Sequence, residues 1–302
     1  MRRFTTISEF HEFAQLPKPQ HPLLSVVNVK AVPHRDGEEP TSMVFDFYSI
    51  SVKRMRNVHV KYGQHSFDFN EGIMSFMAPN QVFSMAVVNA AEEVEKSGWV
   101  VYIHPDFLWN TPLAKTIKQY DFWDYSLKEG LFLSAKEEEA ILNLIFTIQQ
   151  EYTSTIDRFS KQIIVSQLES LLHYADRFYN RQFLTREKAN HEVLERLETL
   201  LQDCFNSNNL LERGLPTVQY VADCLHLSPK YLGNLLRVVT GQNTQQHIHT
   251  KLIAKAKERL STTTLTVSEI AYELGFEHLP SFSKLFKAKT NLSPQEFRAS
   301  FT

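Results

Sequence analysis

Eight residues, in two groups fifty positions apart, carry the chemistry most easily read from this chain: Lys230, Gly233, Asn234 and Arg237, then Pro280, Ser283, Lys284 and Lys287. Within each group the i, i+3, i+4, i+7 spacing puts all four on one side of an α-helix. A guanidinium or ammonium placed there can donate to a guanine edge or neutralise a phosphate, and a carboxamide can pair with adenine. Gly233 and Ser283 are small enough to let a backbone approach a groove closely. A lone lysine-bearing helix face reads more simply as solvated surface. Two such faces in a repeated frame point instead to double-stranded DNA.

The frame is a duplication. The stretch TVQYVADCLHLSPKYLGNLLRVVTG, Thr217 to Gly241, aligns with TVSEIAYELGFEHLPSFSKLFKAKTN, Thr266 to Asn291. Ala222 pairs with Ala271 and Leu225 with Leu274. After a one-residue insertion, Leu232, Leu235 and Leu236 pair with Phe282, Leu285 and Phe286, and Thr240 with Thr290. An internal repeat of this length predicts two copies of one supersecondary unit. In each, a threonine caps a first helix whose buried face is Val218, Val221, Ala222 and Leu225 in the first copy. The small alanine admits a second helix close by. A turn of three or four residues follows, holding Gly275 in the second copy. Between the copies, QQHIHTKLIAKAKERLSTTTL predicts one joining helix. Ile248, Leu252, Ala256 and Leu260 are its buried stripe, and Lys251, Lys255, Lys257 and Arg259 lie outside. Readers held about 34 Å apart would meet successive major-groove segments on one face of a duplex.

Charge agrees with this division. Residues 214–302 hold ten Lys or Arg against six Asp or Glu, and residues 1–213 hold 22 against 28, so a net charge of −2 hides a basic carboxy-terminal third. The length of 302 residues suggests two domains, and 43% hydrophobic content supports real cores. No apolar run reaches the roughly 18 residues that span a bilayer. MRRFTTISEF lacks the apolar block of a secretory signal. The two cysteines, Cys204 and Cys224, predict neither a disulfide framework nor a zinc cage, and suit a reducing cytoplasm. No phosphate-loop or nucleophile-elbow glycine pattern is present among nine glycines, so no catalytic residue is assigned. No metal site is assigned either. His247 and His249 point apart on a helix, and His59 and His65 flank a turn with no Glu at ligand spacing.

Upstream, residues 23–103 read as six or more short strands, an antiparallel sandwich or barrel. Their aromatics Phe45, Phe47, Phe67, Phe69, Phe76 and Phe83 either line an apolar effector pocket or fill the core. Lys30, Arg54 and Arg56 either counter an acidic effector or sit on a solvated strand face. Ser134 and Glu137 form a capping box before a helix with Ile141, Leu144, Ile145 and Ile148 on one face. A second helix, about 157–179, carries the stripe Ile164, Leu168, Leu171, Ala175 and Phe178, for its own core or for a dimer seam. The polar stretch 179–190 is the expected linker.

The segment IAYELGFEHLPSFSKLFKAKTNLSPQEFR, Ile270 to Arg298, resembles the signature of the AraC/XylS family of transcription regulators. Its Ala-x-x-x-Gly-Phe, Phe-Ser-x-x-Phe-Lys and Ser-Pro-x-x-Phe-Arg stand in the family's places. Asn291 stands where the family usually has Gly, Lys251 where it often has Arg, and LLRVV replaces the more usual Phe-Lys of the first unit. The resemblance implies an α+β multidomain chain. Residues 1–180 would be an antiparallel, cupin-like β-barrel with a helical dimerisation segment, sensing a small molecule. Residues 188–302 would be an all-α double helix-turn-helix domain of seven helices, with units at about 217–241 and 266–291. It further implies a cytoplasmic homodimer on double-stranded DNA, with RNA polymerase as a further partner, no cofactor and no membrane. A cupin-type metalloenzyme or isomerase with an appended DNA module is the alternative, and a ligand-free dimerising regulator is another.

Overall fold

Runs of β-branched and aromatic residues set the first half of the chain in sheets, and a 3.6-residue apolar period sets the rest in helices. The computed structural model describes residues 2–32, 42–56, 59–62, 65–68, 72–84, 86–87, 95–126, 129–155, 157–206, 210 and 214–301. The chain divides into two units, Met1–Gln182 and Phe183–Thr302.

The first unit is built on a five-stranded antiparallel sheet, in the spatial order Leu131–Leu133, Gly72–Met77, Tyr48–Arg56, Glu95–Ile103 and Leu24–Asn28. The central strand is covered on both faces: Ile50 and Val52 are buried on one side, Ser49 and Ser51 on the other. The Ser51 hydroxyl is satisfied by its cross-strand neighbour Ser75, at 2.6 Å. Two three-stranded sheets flank it, Arg2–Phe4 with Ser42–Phe45 and Val82–Ser84, and His65–Asp68 with His59–Tyr62 and Ala86–Val87. Among the described residues none of the three sheets closes on itself. The expected all-antiparallel arrangement also has one exception, since Arg2–Phe4 runs parallel to Ser42–Phe45. That strand and the helix Ile7–Phe13 precede the expected start of structure. Their signal was the capping box at Thr6, whose side chain accepts from Glu9 N–H at 3.1 Å while the Glu9 carboxylate accepts from Thr6 N–H at 3.2 Å.

Rings fill the space behind the sheets. Phe45 stacks on Phe47 at 4.9 Å, Phe10 meets Phe45 and Tyr102 at 5.0 Å, and Phe47 meets Tyr102 at 5.6 Å. Burial raises the Tyr102 hydroxyl well above its ordinary range. On the other side Phe76 packs on Phe122 at 4.2 Å and on Trp123 at 5.5 Å. The reading of Phe45, Phe47 and Phe76 as core is thus the one their neighbours support. Phe69 lies outside the described residues, as do the side chains of Phe67, Phe83, His59, His65, Arg54 and Arg56.

Helix Ala135–Thr153 follows Ser134, whose N–H and hydroxyl both donate to Glu137, at 2.8 and 2.9 Å. Arg181 adds a salt bridge to the same carboxylate at 2.7 Å. The next helix is longer than its sequence suggested, Ser160–Thr185, and runs into the stretch read as a linker. The reason is that apolar contacts continue there: Phe183 meets Tyr231 edge-on at 5.0 Å within the second unit. Ile164, Leu168, Leu171, Ala175 and Phe178 all face inward. In the second unit the described helices are Glu187–Asn206, Val218–Leu225, Pro229–Thr240, Thr244–Thr262, Val267–Glu273, Leu279–Thr290 and Pro294–Ala299.

Two glycines hold backbone that a side chain would disrupt. Gly98, at φ +133°, faces Lys53 across the sheet, and a Cβ there would lie 2.0 Å from the Val52 carbonyl oxygen. Gly98→Ala is expected to destabilise the first unit by roughly 2 kcal/mol or more, read as a lowered urea midpoint; an unchanged midpoint contradicts the strain. Gly275, at φ +83°, would bring a Cβ to 3.1 Å from backbone atoms of Leu210, Gly214 and Leu215. Gly275→Ala is expected to cost about 1–3 kcal/mol, whereas Asn291→Gly, at a left-handed helix end with φ +63°, is expected to leave stability within about 1 kcal/mol or raise it. Thermal unfolding of both variants checks the contrast.

Candidate nucleic-acid interface

The two copies repeat down to single hydrogen bonds. The Thr217 hydroxyl accepts from Tyr220 N–H at 3.1 Å, and the Thr266 hydroxyl accepts from Glu269 N–H at 3.2 Å. Each first helix then ends in a left-handed residue, His226 at φ +59° and Gly275 at φ +83°. The bond across each end is the same: Leu227 N–H donates to Ala222 O at 3.0 Å, and Phe276 N–H to Ala271 O at 3.0 Å. Inside it, His226 N–H donates to Asp223 O and Gly275 N–H to Tyr272 O. This is the paired-bond helix ending in which a left-handed residue closes the last turn. The first turn has the expected length of three or four residues, and the second is longer. Three residues, 226–228, separate the helices in the first copy and five, 274–278, in the second.

The second helices start fifty residues apart, at Pro229 and Leu279, and bury equivalent rows except that Leu285 is half-buried where Leu235 is buried. Leu232, Leu235 and Leu236 are at most 1% exposed, and Phe282 and Phe286 are fully buried. Both helices end alike. The Thr240 hydroxyl donates to Leu236 O at 2.7 Å and Thr290 to Phe286 O at 2.8 Å, and Gly241 and Asn291 take the left-handed conformation. Each is followed by a capping box, Asn243 with Gln246 and Ser293 with Glu296. The repeat therefore extends one helix beyond the segment in which the sequence revealed it.

Opposite each buried row lie the eight residues singled out above. Lys230 and Arg237 are exposed with Gly233 and Asn234 half-buried between them; Pro280, Lys284 and Lys287 are exposed and Ser283 is half-buried. The structure thus brings each group of four together on one helix face. Arg237 Nη1 donates to Asn234 Oδ1 at 2.9 Å, so this pair shares one hydrogen bond within the face. A methyl group at Gly233 would meet only the Thr244 hydroxyl, at 3.9 Å. Packing within the chain does not require glycine there. Leu279–Thr290 begins at His278 without a side-chain cap, whereas Ser228 caps Pro229–Thr240 through Tyr231 N–H at 3.3 Å.

The joining helix holds the copies in one unit. Ile248, Leu252, Ala256 and Leu260 are buried as expected, with Ile253 added to the stripe. Its cations are less exposed than their spacing suggested. Lys255 turns to Glu258 and to Asn206 Oδ1, each at 3.1 Å, and Arg259 Nε lies 3.6 Å from the Glu273 carboxylate. Only Lys257 of the four is classed as exposed, its ammonium 5.7 Å from the Phe297 ring. His247 and His249 have separate partners, Thr240 Oγ1 and Gln245 Nε2, each at 2.8 Å. Burial lowers the pKa of both rings, helped at His249 by Lys289 and at His247 by Lys251 against an opposing Glu198. Sequence reasoning missed Arg298, whose Nε donates to Leu260 O at 3.3 Å and so ties the last helix to the end of the joining helix. Its position in the Ser-Pro-x-x-Phe-Arg stretch was the available signal, together with Phe297, which meets Phe286 at 5.5 Å.

Comparison with known proteins places this geometry. Residues 221–300 match a family model described as a helix-turn-helix domain. The uncharacterized transcriptional regulatory protein YesN of Bacillus subtilis (strain 168) is 30% identical over 141 residues, 46% of this chain and 37% of that protein. The arabinose operon regulatory protein of Salmonella typhimurium is 29% identical over 142 residues, 47% of each chain. The chain thus spans less than half the length of these two curated relatives. Among solved structures, the C-terminal domain of AraT, a response regulator from Geobacillus stearothermophilus, is 28% identical, with 36% of this chain and 84% of that one covered at a TM-score of 0.32. With a matched helix-turn-helix model laid over two equivalent capped frames, residues 221–300 are a helix-turn-helix domain of the AraC type.

Proposed function

We propose that the protein is a sequence-specific regulator of transcription, not an enzyme, that grips double-stranded DNA with two reading helices, Pro229–Thr240 and Leu279–Thr290. One observation carries this reading: two identically closed frames, fifty residues apart in one unit, present Lys230, Gly233, Asn234 and Arg237 in one copy and Pro280, Ser283, Lys284 and Lys287 in the other. Backbone-phosphate contacts from lysines and helix N-termini fix position, and the two faces read base edges. Asn234 can offer both amide groups to adenine once Arg237 releases its carbonyl oxygen. Gly233 and Ser283 leave room for close approach.

The first unit is assigned to sensing and pairing. Its five-stranded antiparallel sheet supplies a scaffold for sensing, and the exposed Phe159, Ile163 and Tyr174 support contact with a second copy. An effector that acts at Phe45, Phe47 or Phe76 must replace the contacts these rings make with Phe10, Tyr102 and Phe122. No described helix is long and apolar enough to cross a membrane. A cytoplasmic location and contact with RNA polymerase belong to the same assignment.

Anisotropy titrations on fragments upstream of the protein's own and neighbouring genes test the reading. On a specific site, Lys284→Ala and Asn234→Ala are each expected to weaken binding by about 1–3 kcal/mol. Unchanged affinity for both shows that other faces meet the bases. Lys287→Ala is expected to weaken all sequences alike and to flatten the dependence of log affinity on log salt by about one unit. A loss confined to one sequence assigns it to base reading instead.

A further inference from the structure

A cavity of about 140 Å³ lies within the first unit. Four pieces of chain line it: the edge strand Leu24–Asn28 with the turn before it, the short turn Pro105–Leu108, the end of helix Ala135–Thr153 and the start of helix Ser160–Thr185. Phe45, Phe47 and Phe76 are not part of this lining. Leu24, Phe107 and Ile164, each at most 4% exposed, give the cavity an apolar floor. An apolar space of about 150 Å³ takes a body the size of benzene.

Polar groups with unused hydrogen-bonding capacity complete the lining. His21 Nδ1 accepts from Leu23 N–H at 3.0 Å, and burial, helped by Lys161, lowers the pKa of the ring. The neutral ring therefore keeps its proton on Nε2, which has no acceptor among the described residues. The Tyr152 oxygen accepts from Gln20 N–H at 2.6 Å, and its own proton is likewise without an acceptor among them. Lys161 donates to Trp109 O at 2.8 Å and keeps further N–H groups free to donate. The carboxylates divide differently. Asp157 accepts from Phe159 and Ser160 N–H at 2.7 and 3.0 Å, and so caps the helix that follows. Asp106 is 62% exposed and lies 3.5 Å from His104. Glu151 is half-buried, and its carboxylate has no hydrogen bond or ion pair among the described residues. A cation and an unpaired carboxylate thus flank one apolar floor.

We propose that this cavity binds a small zwitterion, an α-amino acid with an apolar side chain of the size of leucine's or phenylalanine's. Its carboxylate meets the Lys161 ammonium and the neutral donors of His21 and Tyr152. Its ammonium meets Glu151, and its side chain lies on Leu24, Phe107 and Ile164. An acid without the amine would leave Glu151 beside a like charge, and an amine without the carboxylate would do the same to Lys161. A charged or amide side chain would lose its water on the floor without gaining a partner. The occupied site would tie the edge strand to both helices. Binding here does not depend on the DNA-binding assignment, and its readout involves no DNA.

The test is calorimetric titration of the full chain with leucine and with phenylalanine, with thermal unfolding in parallel. Both amino acids are expected to bind and to raise the unfolding midpoint as their concentration rises. Isocaproate and isopentylamine keep the leucine side chain and lack one charged group each, and are expected to bind about tenfold more weakly or worse. Glu151→Gln and Lys161→Met are each expected to weaken leucine binding by about tenfold or more. The midpoint of Glu151→Gln without ligand is expected to equal that of the parent, which separates a lost contact from a lost fold. No heat and no rise in midpoint at millimolar leucine and phenylalanine overturns the proposal. So does isocaproate or isopentylamine binding as tightly as leucine, or leucine binding that both variants leave intact.

Discussion

The left-handed residue that closes each first helix is the constraint on which the rest of the carboxy-terminal unit depends. At His226 and Gly275 the chain must stop one helix and aim another, and it does so with two backbone hydrogen bonds rather than with a flexible loop. The direction of each reading helix is then set by backbone geometry, and side chains only lock it. The two copies meet the demand differently. Gly275 has φ +83° and backbone atoms 3.1 Å from where a Cβ would be, so glycine is required twice over. His226 holds φ +59° with a side chain, at a modest conformational cost, because it lies where a side chain can point to solvent.

Turn geometry alone would leave two readers free to move against each other. Three contacts restrain them: Arg259 with Glu273 at 3.6 Å, Arg298 with Leu260 O at 3.3 Å, and the second turn against Leu210, Gly214 and Leu215. All three lie at the ends of elements, where small rotations would otherwise accumulate. Partly buried, charge-assisted bonds of this kind are worth more as direction than as stability, since desolvation offsets much of their attraction. If both helices meet adjacent groove segments of one duplex, as proposed, they need such direction, because a mis-set second helix would lose its contacts while the first kept its own.

Legibility in the sequence followed the range of the interactions involved. Caps at Thr217, Thr266 and Ser134, the buried rows of the paired helices, and the αL position of Asn291 are set by residues within four or five of one another, and all were readable. Lys255 was misplaced because its partner Asn206 is 49 residues away. The stretch 179–190 read as a linker because its composition is polar, but Phe183 has a distant partner in Tyr231 that keeps the helix going. The aromatics of the strands were ambiguous for the same reason. Alternation says that Phe45 and Phe47 turn away from solvent, but only the folded chain says that they meet Phe10 and Tyr102. The strand Arg2–Phe4 was too short to carry a period, and its parallel partner is 41 residues on, Arg2 facing Met43.

The two faces proposed to read DNA share positions but not chemistry. In the first copy a planar amide and a planar guanidinium, Asn234 and Arg237, are joined at 2.9 Å. Planar groups with fixed donor geometry suit base edges, and the mutual bond must open before the Asn234 carbonyl oxygen can be used on a base. In the second copy the equivalent positions are Lys284 and Lys287, whose compact ammonium groups on long stems accept any nearby oxygen. Lys289 adds a third cation on the same helix, whereas Pro229–Thr240 carries only Lys230 and Arg237. On the proposed function, the second copy would be the stronger electrostatic anchor and the first the more demanding reader. A site that satisfies Asn234 and Arg237 would be distinguished mainly by how long the complex lasts, while capture of DNA of any sequence would fall to the lysines of Leu279–Thr290.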